Sequence, residues 1–189
     1  MLRDGVDPRD CADTLWARYG ETVAVLTLDS TGFTRVSQSH GIVHFLSCLM
    51  ELRNICVPLL EKNNCKRFHF AADNIFAAFN TVDDAIKAAE SIHRGVYESR
   101  LQLTSSERYR ISAGIGYGKL LYSETLEGYF GDEMNCACKL GEDVASGDET
   151  LITVAAFDHA DPALLNDFKA SETSVSGVQL PFMRHRFLP

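Results

Sequence analysis

Thr22-Val23-Ala24-Val25-Leu26-Thr27-Leu28-Asp29-Ser30-Thr31-Gly32-Phe33-Thr34 is a β-branched apolar run that ends abruptly in an acid and a turn. Residues 22–28 have the composition and length of a buried strand, and Asp29 to Gly32 close it. Phe33 to His40 then reads as a short helix broken by Gly41. A strand that delivers a lone carboxylate to a turn, with helical N-terminal amides just beyond, has the parts that a cation–phosphate site would use.

Working outward, apolar residues at 42, 45, 46, 49, 52, 56, 59 and 60 mark one face of a long helix from Ile42 to Leu60, weakened near Pro58. Cys65 to Ala71 and Ile75 to Phe79 are two strands of a hairpin around Ala72-Asp73-Asn74, and Asp83-Asp84 opens another amphipathic helix. Arg110 to Ile115 predicts a strand, punctuated by Gly116-Tyr117-Gly118 before Lys119 to Tyr122. A helix over Asp132 to Ala145, a strand over Thr150 to Val154 and a last strand over Gly177 to Phe187 follow, with Pro181 marking an edge. Upstream, Asp7-Pro8 starts a helix that ends at Gly20. The order yields two split βαβ units. The expectation is an α+β, ferredoxin-like βαββαβ core: an antiparallel sheet with helices packed on one face, an N-terminal helix over residues 1–20 and one domain over 21–189.

With 189 residues, 46% hydrophobic and 23% charged, the chain has the composition of a soluble globular domain. Its net charge of −8 argues against a nucleic-acid binder. No run of eighteen apolar residues predicts a membrane span, and Met1 to Gly5 lack the apolar core of a signal peptide. Cysteines at 11, 48, 56, 65, 136 and 138 form no CxxC pair, so reduced structural thiols and a cytoplasmic location are expected.

Asp29 and Asp73 each terminate a strand in a turn. Alone, either is a cap or turn residue; together, with the Ser30–Thr34 turn between them, they have the chemistry to hold Mg²⁺ or Mn²⁺ beside a phosphate.

Four blocks carry a resemblance. Leu28-Asp29-Ser30-Thr31-Gly32-Phe33-Thr34 is similar to the first metal motif of the class III nucleotidyl cyclase catalytic domains, the adenylate and guanylate cyclases. Phe68 to Phe79 resembles their second metal motif, Gly114 to Gly118 their glycine-bearing strand end, and Tyr129 to Leu140 their Asn/Arg helix. The blocks cover about residues 21 to 158 in family order.

The resemblance implies a phosphorus–oxygen lyase that converts a nucleoside triphosphate, ATP by commonness, to a 3′,5′-cyclic nucleotide and pyrophosphate. Asp29, Asp73 and the Ser30 carbonyl would hold two Mg²⁺ or Mn²⁺ ions, and the turn of Thr31, Gly32, Phe33 and Thr34 the triphosphate. Asn135 would orient the ribose, and Lys139, where the family has Arg, would meet the transferring phosphate. Asn135 and Lys139, at i and i+4, are expected on one helix face. The resemblance also implies a homodimer that completes each site from two subunits.

Departures from the family pattern fall at base recognition, where His69 and Gly128 occupy the purine-reading positions, and at Ser176, where the family has a phosphate-binding Lys. Lys119 and Arg184 are the candidates to replace that lysine. These departures leave open a degenerate nucleotide-binding or regulatory module without turnover, a pyrimidine nucleotide cyclase, and a metal-dependent nucleotide hydrolase on the same kind of core.

Overall fold

The structure is a computed structural model that describes residues 7–175 and 178–188. Asp7 caps a 3₁₀ turn over Pro8–Cys11, its carboxylate accepting from the Arg9 amide, and α1 (Ala12–Tyr19) follows. Next come β1 (Gly20–Ser30), α2 (Phe33–His40), α3 (Ile42–Lys62), β2 (Arg67–Ala71), β3 (Asn74–Phe79) and α4 (Val82–Glu98). A small hairpin, β4 (Gln102–Thr104) and β5 (Glu107–Arg108), precedes β6 (Ile111–Ser123) and β7 (Gly128–Phe130). The chain ends with α5 (Asp132–Cys138) and its continuation over Lys139–Val144, then β8 (Glu149–Thr153), α6 (Val154–Phe157), β9 (Lys169–Val175) and β10 (Val178–Arg186).

The main sheet runs β2-β3-β1-β6-β8-β10-β9, with β7 paired to β6. Its first four strands are all antiparallel neighbours, the order two split βαβ units require. The expected ferredoxin-like α+β core is therefore present. Beyond it the sheet becomes mixed, because β8 returns parallel to β6 through the α5 crossover.

Alternation along β1 assigns its two faces. Ala24, Leu26 and Leu28 join the larger core with Leu49, Leu52, Cys56 and Leu60 of α3 and Ala85, Ala89 and Ile92 of α4. Val23 and Val25 point the other way, onto Ala137 of α5, Leu120 and Tyr129. The two core helices thus share one face, as expected, and α5 crosses the opposite one. By length and composition α3 is the described helix that reaches what a membrane crossing needs, yet it buries Phe45, Cys48, Leu49, Leu52, Cys56 and Leu60 in this core.

Three expectations change. Gly116 and Gly118 do not interrupt the strand: β6 runs unbroken for 13 residues. Gly114, Gly116 and Gly118 face one way along it, and a Cβ on either of the first two would strike the backbone of α5, at Ala137 and Glu133. The glycines are there to let a helix lie against the strand. The helix expected over 132–145 is α-helical only to Cys138 and continues as a π-helix. The last strand is not an edge: β9 lies outside β10, and Pro181 sits where β10 pairs with β9 but not with β8.

All six cysteines are free. Burial pushes the Cys56 thiol up to about 12 and that of Cys138 to about 11, as for inert structural thiols.

Candidate active site

β1 and the β2–β3 hairpin carry Asp29 and Asp73 to the same end of the sheet, because Leu28 pairs with Ile75 just inside the hairpin tip. Asp29, Ser30, Gly32, Phe33, Thr34, Arg35, Asp73 and Glu142 line one cleft of about 440 Å³. Burial pushes the Asp29 carboxyl up to about 7, and the charge of Asp73 is the next largest cause, followed by smaller contributions from Glu142 and Asp143. The Ser30 backbone amide works in the opposite direction.

Beneath these acids the floor is fixed. The Ser30 hydroxyl lies 2.6 Å from that of the fully buried Tyr109, and Thr31 bonds the Arg110 carbonyl through both its amide (3.1 Å) and its hydroxyl (2.9 Å). Gly32 takes φ 96, a left-handed conformation that glycine reaches without strain, and so turns the chain from β1 into α2. Thr34 and Phe33 then lie at a helix N-terminus facing the cleft. Thr31 does not line it, since its side chain is spent on Arg110.

Among the described residues, no three His, Cys, Asp or Glu side chains converge into a ready cation cage. The donor chemistry nevertheless fits a divalent cation: two carboxylates press on each other beside a helix N-terminus, and a cation between them would relieve the repulsion that adds to burial in raising Asp29. Two residues join the cleft that the sequence reading missed. Arg35 sits in the first turn of α2, where a cation opposes the helix dipole, and that mismatch was a legible hint. It pairs with Glu107 at 2.6 Å. Glu142 comes from the π-helix, which no sequence pattern announced.

A second cleft, of about 270 Å³, lies over β2, β3 and β7 and shares no lining residue with the first. His69 and Gly128, the positions where base recognition was expected, both line it, together with Arg67, Phe76, Tyr122, Tyr129 and Met134. His69 stacks on Phe76 with ring centroids 4.9 Å apart and planes 21° apart. Arg67 lies over the Tyr122 ring at 4.2 Å and donates to the Tyr129 hydroxyl at 2.6 Å and to Glu21 at 3.1 Å.

Asn135 is exposed on α5 and lines neither cleft. Lys139 is half-buried and makes no ion pair among the described residues, so its i+4 neighbour Asp143 does not hold it. Lys119 lies 5.3 Å from the Trp16 ring and Arg184 lies 3.9 Å from Glu149; neither reaches the Asp29 cleft. Ser176 is outside the described residues.

No protein-family model matches this chain, and no curated protein does. Solved structures do. An adenylate/guanylate cyclase/hydrolase from Silicibacter pomeroyi matches with a TM-score of 0.73 at 17% identity, over 90% of this chain and 98% of that one. The guanylate cyclase domain of RhGC from Catenaria anguillulae, solved in complex with GTP, matches at 0.69 and 14%, over 88% and 98%. An adenylate cyclase from Trypanosoma brucei in its monomeric state matches at 0.67 and 19%, over 86% and 87%. Identities this low speak for architecture, and what they establish is that the chain has the fold of the adenylate/guanylate cyclase catalytic domains.

Proposed function

We propose that this chain is a nucleotidyl cyclase, converting a nucleoside triphosphate to its 3′,5′-cyclic nucleotide and pyrophosphate in a symmetric homodimer. The observation that carries the reading is the single cleft holding Asp29 and Asp73 at the mouth of α2, in a fold shared with cyclase catalytic domains.

In this reading Asp29 and Asp73, with the Ser30 carbonyl, would hold two Mg²⁺ or Mn²⁺ ions. Those ions, when bound, neutralise phosphate charge and lower the pKa of the attacking hydroxyl. The rest falls to the chain itself. The turn at Gly32, Phe33 and Thr34 presents helical N-terminal amides to the triphosphate. The 3′-oxygen bonds to the α-phosphorus as the bond to the bridging oxygen of the β-phosphate breaks, pyrophosphate departs with that oxygen, and the hydroxyl proton passes to solvent water. Asn135 orients the ribose, and Lys139 places a positive charge where negative charge builds on the phosphate. A lysine does this as a point charge, without the two-pronged geometry of Arg.

The separation of parts supports the homodimer. Asn135 is exposed and lines neither the acidic nor the aromatic cleft of its own chain, and in this reading a second copy closes Asn135 and Lys139 over an Asp29 cleft. ATP is the default substrate by family habit. The base-facing cleft carries neither purine-reading residue of the family, which keeps a pyrimidine nucleotide as the alternative base.

The second reading is a nucleotide-binding or regulatory module without turnover. It is favoured by the departures from the family pattern at Lys139, Gly128 and Ser176. One assay separates the two: purified protein with Mn²⁺ and each of ATP, GTP, CTP and UTP, with products identified by mass spectrometry. A cyclic product that disappears in Asp29→Ala and Asp73→Ala is the expected result. Binding without product from any of the four selects the regulatory module, and a linear monophosphate selects a hydrolase.

A further inference from the structure

The helix that carries Asn135 and Lys139 changes its winding between them. α5 is α-helical through Cys138, and Lys139–Val144 continues as a π-helix, closed where the Ala145 amide donates to the Leu140 carbonyl at 2.8 Å. π-turns are rare, concentrate at functional sites, and need support where a group outside the helix intrudes on its ladder.

That support rises from β1. Thr27 is buried to 1% exposure, and its hydroxyl donates to the Ala137 carbonyl at 3.0 Å. The Gly114 carbonyl, 3.4 Å away, is too distant for a good O–H···O bond, so Ala137 is the acceptor that counts. Thr27 and Gly114 are direct partners in the β1–β6 ladder, which places the donor under the residue preceding the change of winding. There is no slack at this crossing: a Cβ on Gly141 would stand 2.6 Å from the Thr27 hydroxyl and 2.9 Å from the Gly114 amide.

A π-turn advances each residue through a smaller angle than an α-turn, so every side chain from Lys139 onward is rotated relative to Asn135. Two of those side chains matter. Lys139 is the cation assigned to the transferring phosphate, and Glu142 lines the Asp29 cleft of its own subunit.

Resting on the cyclase reading above, we propose that Thr27 is a positioning residue, whose hydroxyl holds the Ala137 carbonyl and so sets the π-turn that aims Lys139 and Glu142. It touches neither substrate nor cation.

Thr27→Val keeps the shape and removes the donor; Thr27→Ser keeps the donor. In the full chain with Mn²⁺ and its best nucleotide, Thr27→Val is expected to lower kcat about tenfold, the equivalent of one hydrogen bond, and leave KM within about twofold. Amide hydrogen exchange over residues 138–145 is expected to accelerate at least about tenfold, since the turn loses a bond of that size, with exchange in β1, β3 and α4 unchanged. Thr27→Ser restores both. Unchanged kcat and exchange in Thr27→Val overturn the proposal. So does a uniform acceleration of exchange across the sheet that Ser fails to correct, because Thr27 is then only core packing. A wild-type chain that makes no cyclic product overturns the cyclase reading alone, and the exchange pattern still decides whether Thr27 sets the turn.

Discussion

The two clefts of this chain are built from opposite materials. One gathers Asp29, Asp73 and Glu142 beside helix amides; the other stacks His69 on Phe76 and Arg67 on Tyr122. The first is held under electrostatic stress, with burial and the neighbouring acid raising Asp29 to about 7. The second is satisfied: Arg67 is neutralised by Glu21, which also pairs with Lys66 at 2.7 Å and accepts from Tyr129. In the proposed function the first awaits cations and phosphates, and such a site can carry unpaired like charge because its ligand supplies the compensation. The second would sort bases by shape and stacking, and such a site is best left rigid and internally paired.

Replacing one acid is the severest test of that contrast. Asp73→Asn is expected to cost at least about a hundredfold in kcat/KM, on the scale of losing one group that stabilises transition-state charge. Its melting temperature without metal is expected to stay level or rise, since the Asp29–Asp73 repulsion is removed; a fall would show that the pair is structural. The aromatic cleft should respond differently. His69→Ala is expected to shift the preference among the four nucleotides by about tenfold, within the 1–3 kcal/mol of a stacking contact, and to leave Mn²⁺ binding unchanged in calorimetry. Loss of Mn²⁺ affinity would break the division between the clefts.

Lys139→Arg sharpens the role of the π-turn. A guanidinium in that place is expected to keep or raise kcat, up to about tenfold, through bidentate phosphate contact. Complete loss of activity would remove Lys139 from the site.

The smallest effect lies far from both clefts. His93 is buried on α4 at 2% exposure, 3.1 Å from the Thr150 hydroxyl and stacked on Phe187. Burial, then the nearby charges of His185 and Arg108, push its pKa down to about 4. Its folded pKa is below the unfolded value, so the unfolded chain binds the extra proton first. The stability this neutral histidine contributes is present above about pH 6.5 and is lost as pH falls toward 4, by at most about 1.4 kcal/mol per pH unit. Denaturant titrations at pH 7 and 5 check the slope, and His93→Gln should flatten it.

Much of this was legible in the residues. Thr22 to Leu28 read as a strand because β-branched apolar residues run unbroken to an acid, and the hairpin around Asp73 because a polar triplet separates two apolar runs. Asp29 and Asp73 stood out as carboxylates at strand ends. Thr31 was expected beside the phosphates, and nothing local shows that the Arg110 carbonyl takes its hydroxyl. β9 escaped because Lys169 to Val175 carries little apolar pattern and is held by pairing with β10 alone.

Composition and periodicity alone determined the α+β class, the element order that two split βαβ units require and the carboxylates offered at strand ends, since each follows from residues near one another in the sequence. Only the tertiary structure decided that Glu142 enters the acidic cleft, that Gly114 and Gly116 admit α5 instead of ending β6, and that the helix after Cys138 widens. Each depends on a partner many residues away in the chain, and Thr27 reaching Ala137 across the sheet is a contact no local pattern encodes.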